Sequence, residues 1–549
     1  MKNFSHLHYH SEYSLLDGCG RIDNIVKRVK ELGQPALAIT DHGSCGCFLP
    51  FNKSAKKHEI KPIFGCEFYV SPDRLKKKLT PEEDLELQGK IAQSGLTIKK
   101  EINALTRAYE KEKGVRSYNH LVLLAKNEIG LKNILKILSD ANINGFYYKP
   151  RTDLSYLKEH SEGLVVLSAC LAGSIPQLII NDKMDLAREE IKLYKEIFKD
   201  DFYLEIQPNE LKDQCVVNKQ LVVLSKELNV PLVATNDCHY ILKEDFKAQE
   251  VLLLIQQKKT FEDVKKIKDD ENEENKDTVW LFEVTDLYNK TFDEMMETFK
   301  LRNDIEDSII EEALLRTNEI VDKCNVDLNK FYSEPRYPII SVPREEKLAI
   351  IRKNKEWSKL EVKEKEFIIK KRYFENLCEE GWKFRKLHEA PEAQQKEYRD
   401  RLEFELEIII GKGYMDYFLV VQEFILWAKN NDVSTGVGRG SAAGSLVSYL
   451  LRIIDIDPVK YKLYFERFLN PERLKYPDID SDFEDEGREL VKQHLVDTYG
   501  RENVASVIAY STMSLLSCFR DVSRVYGIEL DLVGKLSKLM FATNANNKP

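Results

Sequence analysis

The chain has 549 residues, 43% hydrophobic and 32% charged, with ten cysteines and a formal charge of −9 at pH 7. That balance suits about three or four globular domains and excludes a disordered chain. No apolar run nears the ~20 residues of a membrane span, no CxxC pair marks a disulfide framework or zinc ribbon, and an acidic net charge argues against a surface that coats polyanions along its whole length.

Taken in chain order, Met1-Lys-Asn-Phe-Ser-His lacks the apolar core of a signal peptide, so the expected location is cytoplasmic. From Phe4 to about Tyr240, short apolar runs alternate with amphipathic helical patterns. Ala36–Thr40, Leu121–Ala125, Leu164–Ser168 and Val230–Thr235 read as buried parallel strands, with helices over Val26–Leu32, Leu131–Leu138 and Met184–Phe198. This alternation predicts a barrel-like or doubly wound α/β domain. Lys76–Lys113 reads as a solvated helical insertion, and Lys258–Asp277 as a mobile surface loop at a domain edge. Met295–Val321 is helical, Pro335-Arg-Tyr-Pro338 and Pro343 break the pattern, and 345–405 is a second charged helical stretch. Gly411 and Gly413 then separate it from a helix over Tyr414–Lys429 that buries most of its surface.

Histidines and carboxylates collect where the strands of the first half should end. His8 and His10 share one strand face, Asp17-Gly18 follows in a turn, and His42, Glu67, His120, Cys170, Asp237 and His239 sit at later strand ends. A single histidine at a strand end is usually structural. Six dispersed elements offering N, O or S ligands at the C-terminal mouth of a barrel point instead to a metal site. Imidazole with carboxylate suits Zn, Mn or Fe without choosing among them.

The second half carries a different constellation. On a strand, Asp480 and Asp482 of Pro477-Asp-Ile-Asp-Ser-Asp-Phe483 point the same way while Ile479 and Phe483 pack behind. Two like charges held close call for a divalent cation or an arginine. Upstream, Gly436-Val-Gly-Arg-Gly-Ser-Ala-Ala-Gly-Ser445 offers the approachable N–H groups and hydroxyls that a triphosphate needs. Alone, Gly436-x-Gly438-x-Gly440 is weak: it also suits tight packing or a dinucleotide-binding turn. It lacks the Gly-Lys-Ser/Thr ending of a Walker loop, and Asp455 and Asp457 beside Pro458 look like a turn rather than the acidic strand end of a dinucleotide fold.

Taken together, His-Leu-His-x-His-Ser-x-Tyr-Ser-Leu-Leu-Asp-Gly, Ile-Thr-Asp-His-Gly, Gly-Cys-Glu-Phe-Tyr-Val and Ala-Thr-Asn-Asp-x-His-Tyr resemble the polymerase and histidinol phosphatase (PHP) domain. In particular they resemble the version that begins the alpha subunit of bacterial replicative DNA polymerase III. The likeness continues through Gly438–Ser445, Asp455-Ile-Asp-Pro458, Phe465–Arg473, Pro477–Phe483, Ser511-Thr-Met513 and Arg520–Val525. It weakens in the charged insertions and in 345–395. Val437 departs from the proline usual before Gly-Arg-Gly, which loosens that turn slightly.

The resemblance implies an α/β and α+β multidomain chain: a PHP-type (β/α)7-like barrel over 1–275, a polymerase-beta-like nucleotidyltransferase palm with an N-terminal helical linker over 276–511, and the start of a helical thumb over 512–549. It implies a cluster of up to three Zn2+ or Mn2+ ions on His8, His10, Asp17, His42, Glu67, His120, Cys170, Asp237 and His239, with Cys170 where many relatives have His. It implies two Mg2+ ions on Asp480 and Asp482, and nucleotide binding by Arg439, Gly440 and Ser441, with Asp478 structural. The activity implied is template-directed DNA synthesis from deoxynucleoside triphosphates on primer-template DNA, with 3′–5′ exonuclease proofreading at the cluster. The sequence looks truncated before a third catalytic aspartate, the fingers, and the regions that would meet the sliding clamp, clamp loader and other replisome subunits. The tail Ala542–Pro549 is low in information. The rival reading is a metal-dependent phosphoesterase or nuclease with a non-catalytic palm as binding module, and a purely structural platform is a third.

Overall fold

The computed structural model describes residues 3–95, 99–269, 279–302, 305–331, 337–338, 340–470 and 477–540. They form two compact units, Met1–Tyr332 with Thr512–Pro549, and Ser333–Ser511.

The first unit is built on seven strands: β1 (Ala36–Ile39), β2 (Lys61–Ser71), β3 (Asn119–Ala125), β4 (Arg151–Asp153), β5 (Leu164–Leu167), β6 (Phe202–Ile206) and β7 (Leu232–Ala234). The sheet runs β1-β2-β3-β5-β6-β7, with β4 also on β2. The extended N-terminal segment joins its two edges. Ala38 N donates to His6 O (2.9 Å) on one side, and His10 N donates to Cys238 O (2.7 Å) just past β7 on the other. The sheet therefore curls into the barrel expected for an α/β chain of this pattern. The strands are not all parallel, however. β3 runs antiparallel to both β2 and β5, so it reaches the mouth with its first residues, and His120 begins a strand instead of ending one.

Side-chain alternation sorts the residues into layers. Ala36 and Ala38, Val122 and Leu124, and Val165 and Leu167 fill the barrel interior with Leu7 and Tyr203, while Leu37, Ile39, Leu121, Leu123 and Val166 pack outward under the helices. One end is plugged by Ile320, Val321 and Cys324 at the end of helix Asp307–Lys323. The same parity turns Glu67, His120 and Glu205 inward at the other end.

Three segments depart from the sequence reading. Phe261–Asp269 is a helix, not a loop, because Phe261 and Val264 give it an apolar edge against Val251 and Leu254; residues 270–277 lie outside the described residues. The segment after 278 belongs to the barrel unit: Lys290 is fully buried and its carbonyl accepts from His6 Nε2 (2.9 Å). Helix Leu515–Val525 packs there too, with Val525 on Val251 and Leu254. The charged insertion forms two helices, Pro81–Ser94 and Lys99–Glu112, the first opened by a capping box of Thr80 and Glu83. No described helix is long and apolar enough to cross a membrane.

The second unit is mainly helical. Val362–Phe384, Glu392–Gly411, Met415–Asn430 and the short Leu446–Leu450 enclose a core of Phe374, Trp382, Leu402, Phe418, Leu446 and Phe465. The strand expected at 477–483 is an extended segment with one antiparallel bridge, Thr435 to Phe483. A ladder needs partners on successive residues, and among the described residues only the stretch before Gly436 lies alongside. Residues 335, 336, 471–473 and 542–549 of the sequence motifs lie outside the described residues.

Candidate functional site

All nine candidate ligands of the first half come together at the open end of the barrel, delivered by the N-terminal segment, the starts or ends of strands and the loops that follow them. Glu67 is the hub: its carboxylate lies 3.4 Å from His8 Nε2 and His10 Nε2, 2.7 Å from His42 Nδ1 and 2.9 Å from His120 Nδ1. Asp237 Oδ1 lies 3.3 Å from His8 Nε2 and 3.2 Å from His10 Nε2, and Asp17 Oδ2 lies 3.1 Å from His42 Nε2. His239 Nε2 is 3.8 Å from Asp17 Oδ1, and Cys170 Sγ is 3.7 Å from His120 Nδ1. Three overlapping groups, His10-His42-His239, His8-His10-Glu67 and His42-Glu67-His120, each crowd their ligand atoms within 4.8 Å. Backbone at positive φ re-aims the chain beside three ligands, at Leu16, Ala169 and Asp237 itself, a strain of about 1–3 kcal/mol each that clusters at functional sites.

The donors fit a cation cluster. Glu67 Oε2, Asp237 Oδ1, His42 Nδ1 and His239 Nε2 are buried and face other ligand atoms without forming a well-aligned hydrogen bond, an arrangement costing about 1–3 kcal/mol per group unless something else satisfies it. The electrostatics agree. Burial opposes charge on Glu67, yet His120, His42 and His8 hold its carboxyl well below the usual range. Burial likewise opposes protonation of His42, but Glu67 and Asp17 outweigh it and push the imidazole up to about 10. Asp17 falls to about 2 against its own burial because His239 and His42 face it, and burial with His42 and His239 nearby lowers His10 to about 3. Burial first, then Glu67, drives the Cys170 thiol well up.

Two carboxylates that the sequence reading gave no role stand behind these ligands. Glu205, fully buried in β6, accepts from His8 Nδ1 at 2.7 Å and from Gln207 Nε2 at 3.0 Å, which leaves His8 Nε2 facing inward. Asp41 accepts from the Ser14 hydroxyl (2.8 Å), which in turn accepts from His10 Nδ1 (2.9 Å), so His10 Nε2 is aimed the same way. The signal was present for Glu205: a lone charge inside Phe-Tyr-Leu-Glu-Ile, an otherwise apolar strand.

In the second unit, Asp480 and Asp482 lie against the glycine turn. A Cβ on Gly440 would stand 2.8 Å from Asp480 Oδ2, and one on Gly436 3.1 Å from Asp482 Cβ, so glycine is what permits the approach. Gly436 N donates to Asp482 O (3.0 Å), and Arg439 Nη1 donates to Asp482 Oδ1 (3.0 Å). That contact, with Asp480 nearby, raises the Arg439 pKa. Gly440 takes φ +65°, and Ser441 opens the 3-10 turn Ser441–Gly444. Ile479 and Phe483 pack inward while Asp478, Asp480 and Asp482 are exposed, the alternation expected of extended chain. Ile479 N donates to Tyr417 Oη (3.0 Å), which anchors the residue after Asp478. Two carboxylates with an open face suit Mg2+, which keeps waters and substrate phosphates as its remaining ligands.

Buried Glu405 holds the turn from beneath. It accepts from Leu446 N (2.9 Å), Val447 N (3.0 Å), Ser445 Oγ (2.9 Å) and Arg401 Nε (2.7 Å), and Arg401 also reaches Gly444 O (2.8 Å). It was hidden in a charged stretch, although its spacing with Tyr398, Leu402 and Ile409 places it on the buried stripe of its helix. The Asp455-Ile-Asp-Pro458 motif braces the other side. Asp455 N donates to Val437 O (2.7 Å), its carboxylate takes Lys429 (2.8 Å) and Arg385 (2.7 Å), and Asp457 accepts from Tyr398 Oη (2.7 Å).

Residues 6–209 match the PHP domain family, and residues 372–548 match the bacterial DNA polymerase III alpha NTPase domain. The class is thus a PHP-domain barrel followed by a bacterial DNA polymerase III alpha NTPase domain. Over 537 residues the chain is 38% identical to the DNA polymerase III subunit alpha of Borreliella burgdorferi, covering 98% of this chain and 40% of that one. It is 36% identical over 539 residues to that of Treponema pallidum (98% and 39%) and 35% identical over 590 residues to that of Thermus aquaticus (100% and 43%). The chain belongs to the bacterial DNA polymerase III alpha-subunit family and spans about 40% of the length of these relatives.

Proposed function

We propose that this chain serves template-directed DNA synthesis in the cytoplasm as part of a DNA polymerase III alpha subunit, binding primer-template DNA and deoxynucleoside triphosphates and working with a sliding clamp, a clamp loader and other replisome subunits. The observation that carries the reading is the close approach of Asp480 and Asp482 to the glycine turn at Gly436 and Gly440. Two Mg2+ ions held by these carboxylates would supply charge stabilisation for displacement at the α-phosphorus. Gly440 and Ser441 offer N–H and hydroxyl donors to the β- and γ-phosphates, and Arg439 leaves Asp482 to make a charge-assisted contact with the triphosphate. Asp478 stays structural. Primer extension by a subunit of the relatives' length carrying this sequence tests the reading: Asp480→Asn and Asp482→Asn should each abolish synthesis, and undiminished extension would end it in favour of a non-catalytic palm.

A second activity is favoured by the nine converging ligands with their orphaned buried atoms. We infer phosphodiester hydrolysis at DNA 3′ ends, a 3′–5′ exonuclease. His8, His10, Asp17, His42, Glu67, His120, Cys170, Asp237 and His239 would hold a Zn2+ or Mn2+ cluster, which supplies a water of lowered pKa. Glu205 and Asp41 keep His8 and His10 in the ligating tautomer, and the barrel wall excludes bulk water from all but one side. Metal analysis of the chain, with an excision assay against His8→Ala, checks this. Bound metal with no excision above that variant leaves the cluster a structural role.

A further inference from the structure

The mouth of the barrel is lined on one side by aromatic rings that the ligand set does not use. Past the helix Phe246–Gln257, Trp280 N is held by Gln257 Oε1 at 2.7 Å, and Val279 and Leu281 are tucked among Val251, Leu254, Ile255 and Phe261. Successive side chains therefore diverge. Trp280 and Phe282 meet each other instead, edge to face at 4.8 Å between centroids, and Phe282 packs edge to face on His239 at 4.7 Å. Two rings thus lead from a candidate ligand on the floor to the rim, where Trp280 is left 52% exposed. The cavity they border holds about 340 Å³, with Asp17, His42, Glu67 and Asp237 on its floor, a size in the range of small-ligand sites.

We infer that Trp280, backed by Phe282, is a stacking platform for the terminal nucleobase of a DNA strand whose adjoining phosphate lies over the ligand cluster. The inference rests on the phosphodiesterase reading of that cluster and adds the group that seats its substrate. Among the described residues lining this cavity there is no lysine or arginine, so beyond the phosphate over the ligand cluster no cationic side chain holds the terminal nucleotide, and a π-face is what the cavity offers its base. Every base has such a face, so the platform serves an excision that disregards sequence. The rings also sit on one side of the floor only, which suits a single terminal base better than a strand threaded through.

The test uses the full chain loaded with zinc and a fluorescently labelled thymidylate decamer, with binding followed by anisotropy. Trp280→Ala should weaken binding by about five- to a hundredfold, the span of one base–aromatic stack, at unchanged zinc content, whereas Trp280→Phe should stay within about threefold of wild type. In the unlabelled titration, the wild-type tryptophan emission should be quenched more than that of Trp280→Phe, because the lost indole is the one that stacks. Equal affinity of wild type and Trp280→Ala, or equal quenching with and without Trp280, overturns the platform. Excision separates the two claims. Cleavage by wild type that persists undiminished in Trp280→Ala sinks the platform and keeps the nuclease, while affinity lost in Trp280→Ala without cleavage by wild type keeps the platform and sinks the nuclease.

Discussion

The two acidic sites differ in how much of their coordination the chain itself supplies. At the barrel mouth the donors are buried or half-buried, His8 and His10 are aimed by neighbours, and several polar atoms face one another without a well-aligned hydrogen bond. At the glycine turn, among the described residues, two exposed carboxylates are met by exposed Arg439, whose contact with Asp482 is solvent-screened. The first is preorganised to grip cations with no substrate present. On the proposed reading the second is a half-site that a triphosphate would complete. Burial sets the difference: inside the barrel unmet ligand atoms are costly and must be satisfied permanently, whereas at the surface water can occupy them between turnovers.

The sharpest way to break the comparison is at the half-site. Asp480→Asn should lower primer extension on the order of a hundred- to a thousandfold while leaving the metal content of the barrel unchanged; loss of barrel metal in that variant would show the sites to be coupled. Next comes Glu405→Ala, which strands the N–H groups of Leu446 and Val447 and the side chain of Arg401. It should cost about 3 kcal/mol in urea unfolding of the second unit and leave zinc binding intact. Glu205→Ala removes the acceptor that fixes His8 and should weaken metal affinity roughly ten- to a hundredfold in chelator competition, with no effect on triphosphate binding.

The smallest effect is a pH dependence confined to the second unit. Burial pushes the Asp455 carboxyl up, but Lys429 and Arg385 more than offset it and leave its pKa below the ordinary value. A depressed folded pKa means stability that is complete above the unfolded value near ~3.9 and fades as pH falls through the folded one. Asp455→Asn should therefore cost about 1 kcal/mol or less at neutral pH, given its partial exposure, and should flatten the acid limb of unfolding below about pH 4.

The convergence of the candidate ligands was legible because each lies beside a short apolar run whose period marks a strand, and His8, Glu67 and Asp237 are residue types that rarely sit there without a reason. What escaped was the layer behind. Glu205 and Glu405 each look ordinary in their local stretch, and only burial against a residue far away in sequence, His8 or Leu446, makes them indispensable. The run of 258–277 misled for the opposite reason, since two hydrophobic residues sufficed to seat Phe261–Asp269 once Val251 and Leu254 were in place.

Local pattern alone thus determined which residues could serve chemistry: alternating apolar strands, histidines and acids at their ends, glycines beside a paired aspartate. Tertiary structure alone decided strand direction and company. It ran β3 antiparallel so that His120 enters the mouth from a strand start, drew the described residues of 279–324 against the barrel, and set Phe282 between Trp280 and His239. Periodicity reports which face of an element is buried, but not which neighbour buries it, because that choice is made by contacts between residues hundreds of positions apart.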